Sequence, residues 1–176
     1  PEARIDIGLW TLIVAKECDS TIDIDHYLAT LDSMASAIKY MVGPRDLDMV
    51  KFAMTRMYLH DTGTWNGDRV FVYDLDDPLG KQPGAHLLTK YMDTQLGSCI
   101  SMPTLFLALM ERVDSDVPFN GVQAPMHVFC RFHDRQDGTA WNVEATNGGH
   151  FMREEWVVET FEVSQTAIDS GVYMRD

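Results

Sequence analysis

The chain has 176 residues, of which 45% are hydrophobic, and it carries a formal net charge of −13. This length and apolar content suffice for one domain with a buried core and exclude a disordered chain. The negative charge repels phosphate groups, so neither nucleic acid nor an anionic membrane surface is an expected partner, and no apolar run reaches the ~20 residues of a membrane span.

The first third of the chain is predicted to form a helical N-terminal part over residues 1–62. From Ile24 to Val42, apolar side chains recur every three or four positions, which is typical of a helix with one buried face. Asp23 or Asp25 can cap the start of this helix, and Gly43-Pro44 ends it. The same spacing predicts two flanking helices, over residues 5–15 and 46–59.

Residues 61–84 are rich in Gly, Asp, Asn and Pro and are predicted to form a long loop, interrupted by a short strand over 69–73. Trp65 and Tyr73 lie in or beside this loop. Their rings either cover one side of a cleft or pin the loop to the core. The acidic run 74–77 either attracts a basic substrate or consists of solvated acids in a turn.

Residues 85–160 are predicted to form the core of the domain. A helix-rich stretch comes first and two strands follow, and this order indicates an α+β fold with an antiparallel sheet. The segments are the helical stretch 85–112 and the strands 126–132 and 139–145. A last helix, over 162–174, is predicted in the C-terminal part 161–176, and the natural protein is expected to continue beyond Asp176.

The two predicted strands form a hairpin, because Asp137-Gly138 between them is a turn signal. Folding the chain at this turn places His133 opposite Gly138. Further along the strands, the same register places His127 opposite Glu144, with Asn142 as a diagonal neighbour.

Cys99 is placed at the start of a strongly apolar helix. Pro103 lacks an N–H and is tolerated only in the first turn, so the helix begins near residues 100–102, with Ser101 as a cap and Gly97-Ser98 as the preceding turn. The positive end of a helix stabilises a thiolate, and its free N–H groups, that of Cys99 first, can receive an oxyanion. The alternative interpretation is a small buried hydrophobic residue.

His127 and Glu144 are the partners expected for this cysteine. Facing strand positions have Cβ atoms about 5 Å apart, so the Glu144 carboxylate is within reach of His127 Nδ1–H. The carboxylate would then orient the ring, and Nε2 would take the proton from Cys99. The alternative is a surface Glu beside a satisfied His. Cys130 alternates onto the opposite strand face from His127 and is interpreted as a core residue.

Three segments together resemble the transglutaminase-like superfamily. They are Gly97-Ser98-Cys99-Ile100-Ser101-Met102-Pro103 before an apolar helix, Pro125-Met126-His127-Val128-Phe129, and Trp141-Asn142-Val143-Glu144-Ala145-Thr146. The likeness covers roughly residues 71–176. Within the superfamily, the sequence is similar in pattern to a bacterial branch whose members often carry tetratricopeptide repeats after the core. Residues 73–80 and Asn147-Gly148-Gly149 fit that branch. The superfamily acid is typically an Asp before Pro-Thr, whereas here Glu144 precedes Ala145-Thr146.

The resemblance implies a papain-like α+β fold, in which a central helix carrying the cysteine packs on an antiparallel sheet and the N-terminal part is helical. It implies roles for Cys99 as nucleophile, His127 as base and Glu144 as orienting acid. The expected reaction is hydrolysis or transfer at an amide or isopeptide bond through a thioester, on a peptide or protein substrate and without a cofactor. The alternative is a non-catalytic module that binds a peptide in its groove. A repeat domain that follows in the full-length chain is a further expected partner.

Three residues are weaker candidates for oxyanion or substrate binding: Gln95, Asn142 and Trp65. The side-chain amide of Gln95 competes with the interpretation of a solvated loop residue. No metal is expected, because the remaining alternative, a metal site built from Cys99, His127, His133 and His150, lacks compact ligand spacing.

The cysteines are sparse and odd in number, which does not fit a disulfide framework. A reducing compartment, and hence the cytoplasm, is the predicted location. The chain begins at Pro1 without a signal peptide, although a removed leader leaves the same trace.

Overall fold

The computed structural model describes residues 5–174, and it combines helices with an antiparallel sheet, as the α+β prediction requires. Three helices come first, as predicted. Asp6 caps the first by accepting a hydrogen bond from Leu9 N (2.8 Å), and Asp23 caps the second by accepting from His26 N (3.2 Å). Gly43 ends the second helix with φ +63°, a conformation that favours glycine. These helices are α1 (Ile7–Cys18), α2 (Ile24–Val42) and α3 (Asp48–His60).

The rest of the described chain alternates between short strands and helices. It contains β1 (Val72–Tyr73), α4 (Leu88–Thr94), β2 (Leu96–Gly97), α5 (Ser101–Val113), β3 (Phe119–Ala124), β4 (His127–His133), β5 (Ala140–Glu144), β6 (His150–Met152), α6 (Glu154–Thr160) and α7 (Gln165–Asp169). Short 3-10 turns occupy Thr64–Asn66 and Ala145–Asn147. The last helix is shorter than predicted, since α7 covers five residues of the 162–174 segment.

Helix α5 lies at the centre of the domain. Leu105, Phe106 and Leu109 on it have no exposed surface, and they join one core cluster with side chains of α1, α2 and α3 on one side and of β3 and β4 on the other. Burial of this many apolar side chains supplies the main driving force for folding. The position confirms the predicted central helix packed on a sheet.

The sheet has the strand order β3-β4-β5-β6, with every neighbouring pair antiparallel. The hairpin prediction is correct in its two strands, β4 and β5, but wrong in its register. His133 pairs with Ala140 rather than with Gly138, because Asp134 N donates to Thr139 O and closes a loop longer than a tight turn at Asp137-Gly138. Strands β3 and β6 were not predicted.

The two faces of β4 contact different cores. Cys130 and Phe132 face α5, and the Cys130 side chain is fully buried, in agreement with its prediction as a core residue. Phe129 faces a smaller cluster with Val157 of α6 and Tyr173. His127 begins this strand, so it lies at the end of the sheet near the start of α5.

Candidate functional site

The chain enters α5 through a reciprocal pair of serine hydrogen bonds. Ser98 Oγ accepts from Ile100 N and Ser101 N (both 3.3 Å), while Ser101 Oγ accepts from Ser98 N (2.9 Å). Ser101 was predicted as the cap, but its hydroxyl points back to Ser98, and Ser98 satisfies the free N–H groups of the first turn. Gly97 is required just upstream, because a Cβ there would lie 2.5 Å from Met102 Cγ. Cys99 is thereby held between the two serines, two residues before α5 begins.

The Cys99 thiol is half-buried and free. Burial raises its pKa above the ordinary value, and the negative charge of Glu144 adds to this increase. The backbone N–H of Cys99 itself opposes the shift by hydrogen bonding to the sulfur. The expectation that the helix terminus lowers the pKa is therefore not met, because desolvation outweighs the backbone donor, and the resting group is a thiol.

His127 is paired with Glu144. His127 Nε2 donates to Glu144 Oε2 at 2.7 Å, and both side chains are largely buried. A carboxylate only accepts, so this bond assigns the proton to Nε2 and leaves Nδ1 with the free lone pair. The predicted roles of the two ring nitrogens are thus reversed.

The sheet register explains how these two side chains meet. Extending the pairing of Cys130 with Val143 places Glu144 opposite Phe129, so Glu144 is the diagonal neighbour of His127 on the same face. The long Glu side chain spans the diagonal.

Further contacts fix both groups of the pair. Glu144 Oε1 accepts from Thr146 N (3.0 Å) and Thr146 Oγ1 (2.7 Å), which leaves Oε2 for the histidine. The His127 ring stacks on Phe161, with centroids 4.3 Å apart and planes inclined by 14°. The ring therefore has one hydrogen-bonded edge and one covered face, and its rotation is restricted.

Cys99 and His127 line the same cleft, which has a volume of about 540 Å³. Within residues 5–174, the His127 ring bonds to Glu144, and no hydrogen bond joins it to Cys99 Sγ. A catalytic hydrogen bond that is absent from the free protein often forms only when substrate is bound. A thiol and an imidazole of fixed orientation therefore line one cleft, and the Glu144 carboxylate is bonded to that imidazole.

The loop after β1 contributes part of the cleft lining. Tyr73 lines the cleft and donates its hydroxyl proton to Pro78 O (2.5 Å). Asp74 accepts from the N–H groups of Asp76 and Asp77, and Asp77 accepts from Lys81 N and Gln82 N (both 2.8 Å). Two acids of the 74–77 run therefore hold the loop in shape.

Three predicted binding residues lie outside the cleft. Gln95 ends α4 with φ +58°, and its amide donates to Asp93 O (3.2 Å). Asn142 is buried and bonds to Arg131 Nε (2.9 Å) and Glu154 (2.8 Å), because the register places it opposite Arg131. Trp65 packs over Gly63 in the loop. None of the three is among the described residues that line the cleft.

Several residues at the site were not predicted. His86 lines the cleft, and its Nδ1 is 2.9 Å from Ser98 Oγ. Thr146 holds Glu144, and its position two residues later in the sequence was a usable signal, since a hydroxyl at that spacing can bond back to an acid. Phe161 and His86 come from distant segments, and no local pattern identifies them.

Binding a metal ion and crossing a membrane each need a particular arrangement of residues. Between residues 5 and 174, no group of three His, Cys, Asp or Glu side chains is arranged to hold a metal ion. In the same part of the chain, no helix has both the length and the apolar character needed to cross a membrane.

Comparison with known proteins gives one relationship. Neither curated proteins nor solved structures gave a match. The family model described as the transglutaminase-like superfamily matches residues 25–169, which include all of α2 except its first residue, the whole of α5 and the whole four-stranded sheet. The chain therefore belongs to the transglutaminase-like superfamily.

Proposed function

We propose that the protein carries out cysteine-dependent acyl chemistry, with Cys99 as nucleophile, His127 as general base and Glu144 as the acid that orients the base. The observation that carries the proposal is the 2.7 Å bond from His127 Nε2 to Glu144, made by a ring that lines the cleft containing Cys99. Membership of the transglutaminase-like superfamily supports the same class of chemistry.

The proposed reaction begins from the neutral thiol. His127 Nδ1 accepts the Cys99 proton as the sulfur attacks the carbonyl carbon of an amide or ester, and Glu144 stabilises the resulting imidazolium. The C–S bond forms, the bond to the leaving group breaks, and the imidazolium returns the proton to that group. Water or an amine then attacks the thioester, the C–S bond breaks and the proton returns to sulfur.

A general base is required because the pKa of Cys99 is raised. A thiolate that existed before substrate binding would react without help from His127, whereas a buried thiol needs a proton acceptor at the moment of attack. The hydrogen bonds from Thr146 and the stacking on Phe161 support this role, since a base acts efficiently only when its orientation is fixed.

Acetylation by p-nitrophenyl acetate tests the proposal. The wild-type protein is expected to release a burst of p-nitrophenolate and to carry an acetyl group on Cys99, identified by peptide mass spectrometry. Cys99→Ser should abolish the burst, and Cys18→Ser, which removes an exposed thiol, should leave it unchanged. Acetylation of Cys18 without acetylation of Cys99 would contradict the proposal.

A second candidate function is a peptide-binding module without catalysis. The raised pKa of Cys99 and its lack of a hydrogen bond to His127 among residues 5–174 favour this alternative. It predicts that Cys99→Ser leaves ligand binding intact and that no acetyl-enzyme forms.

A further inference from the structure

The lining of the cleft beside Cys99 is poor in formally charged side chains, in contrast to the rest of the molecule. The whole chain contains 27 acidic residues and 14 Lys or Arg residues. Of the described residues that line the cleft, none is Asp, Glu, Lys or Arg. The polar side chains present are those of tyrosine, histidine, serine, cysteine and glutamine. A charged ligand group would lose its hydration there without gaining a charged partner.

Apolar side chains stand at the edges of this cleft. Leu79 is 70% exposed on the loop after β1, and Ile100 is 42% exposed beside Cys99. Ala124 and Val128 contribute further apolar surface from the sheet side. A neutral lining with apolar edges is typical of a pocket that binds an apolar group.

Met126 provides an independent observation. It occupies the turn between β3 and β4, lines the cleft, and is 99% exposed as a residue. Its φ is +57°, in the left-handed region. A turn that places proline first and a positive φ second is normally completed by Gly or Asn. Neither folding nor solubility benefits from an exposed methionine in this conformation, whereas a ligand lying in the cleft would cover it.

We propose that the substrate carries an uncharged apolar group next to the reacting carbonyl, and that Met126 and Leu79, which both line the cleft, hold this group. This inference rests on the proposed function for the identity of the reacting bond. A volume of about 540 Å³ accommodates a large side chain or a short acyl chain. Met126 is a binding residue in this account and takes no part in proton transfer.

Three matched ligands without an electrophile test the inference: N-hexylacetamide, 6-acetamidohexanoate and N-(6-aminohexyl)acetamide. Their affinities for the wild-type protein are measured by ligand-detected NMR. The neutral ligand is expected to bind about tenfold more tightly than either charged one, because its terminal methyl replaces a group that must be desolvated. Equal affinities, or a preference for the cationic ligand, would overturn the inference.

Replacing Met126 separates ligand binding from backbone strain. Met126→Gly is expected to weaken binding of N-hexylacetamide about threefold or more, while the melting temperature stays the same or rises because glycine adopts a positive φ readily. Met126→Asn, which also tolerates this conformation, should behave in the same way. A higher melting temperature with unchanged affinity in both variants would show that Met126 contacts no ligand.

Asp68→Gly is the matched control, since Asp68 also has a positive φ (+59°) and lies outside the cleft. It should relieve strain without changing ligand affinity. Because these ligands do not acylate the protein, the outcome is separate from the test of catalysis. If Cys99 is acetylated but N-hexylacetamide binds no more tightly than the charged ligands, only the substrate inference is wrong. If N-hexylacetamide binds more tightly but Cys99 is not acetylated, only the proposed reaction is wrong.

Discussion

Glu144 has two opposite effects on Cys99. Its negative charge raises the pKa of the thiol, which disfavours the reactive thiolate. Its hydrogen bond to His127 Nε2 fixes the tautomer that leaves Nδ1 free to accept the thiol proton. Whether Glu144 increases or decreases the reactivity of Cys99 depends on whether His127 acts as the base. Substituting this carboxylate is therefore the most informative test of the mechanism.

Glu144→Gln is expected to slow acetylation of Cys99 by about 10²- to 10⁴-fold. The amide can still accept from Thr146, but it no longer stabilises an imidazolium. The rate is measured from the p-nitrophenolate burst. Thr146→Val is the control that keeps the carboxylate and removes one of its donors, and it should reduce the rate far less. A faster reaction in Glu144→Gln would mean that charge repulsion dominates and that His127 is not the base.

The site residues could be predicted from the sequence to different extents. The proximity of His127 and Glu144 could be predicted, because alternation within each strand and the hairpin between them place both on one face of the sheet. The position of Cys99 followed from Pro103, which locates the start of the helix. The choice of ring nitrogen could not be predicted, since it depends on a hairpin register set by the loop after His133. Phe161 reaches His127 only through the path of the chain after β6, which no local rule describes.

At the scale of elements, the start of α5 determines where the cysteine lies. In a capping box, a Ser or Thr at the helix start is paired with a Glu or Gln three residues later. Here Ser98 is paired in the same way with a second serine, Ser101. Proline and glycine positions located the helix terminus to within about a residue, and capping rules named Ser101. The pair of hydrogen bonds between Ser98 and Ser101 was not predictable. The same sequence is compatible with a single capping serine and with two serines that bond to each other's backbone.

Ser101→Ala is expected to lower the free energy of unfolding by about 1–3 kcal/mol, because it leaves the buried Ser98 N–H without an acceptor. Urea denaturation measures the change. Ser36→Ala on α2, whose hydroxyl is exposed and bonds within its own helix, is the control and should change stability little. A loss as small as that of the control would show that the serine pair does not stabilise the start of α5.

At the scale of the whole molecule, a buried acid joins the helical part to the sheet. Asp48 at the start of α3 is almost fully buried and accepts from Arg135 Nε and from an Arg135 terminal nitrogen (both 2.6 Å) in the loop between β4 and β5. Lys51 and Asp114 bond beside it at 2.6 Å. The general division into helices and a sheet was predictable from apolar spacing, but this long-range contact was not, since Asp48 reads as an ordinary first-turn acid.

The contact predicts a pH dependence of stability. Hydrogen bonds from Arg135 hold the pKa of Asp48 below its ordinary value, despite its burial. A lowered folded-state pKa stabilises the fold above about pH 4, where the unfolded side chain is ionised, and this contribution is lost as the pH falls through the folded-state value.

Asp48→Asn should therefore be less stable than the wild-type protein by about 1.5–3 kcal/mol at pH 6, since hydrogen bonds to a charged group are lost. The difference should shrink towards pH 3. Urea denaturation of both proteins across this range provides the measurement. A difference that is independent of pH would contradict the assignment of an ionised, Arg135-bound Asp48.

The alkylation rate of Cys99 tests the central claim most directly. Iodoacetamide is added to the wild-type protein at neutral pH, and the rates at Cys99 and at the exposed Cys18 are followed in the same sample by peptide mass spectrometry. We expect Cys99 to react about tenfold faster than Cys18 despite its burial, because His127 accepts its proton, and His127→Ala to remove this advantage. A Cys99 that reacts more slowly than Cys18, at a rate unaffected by His127→Ala, would contradict the account.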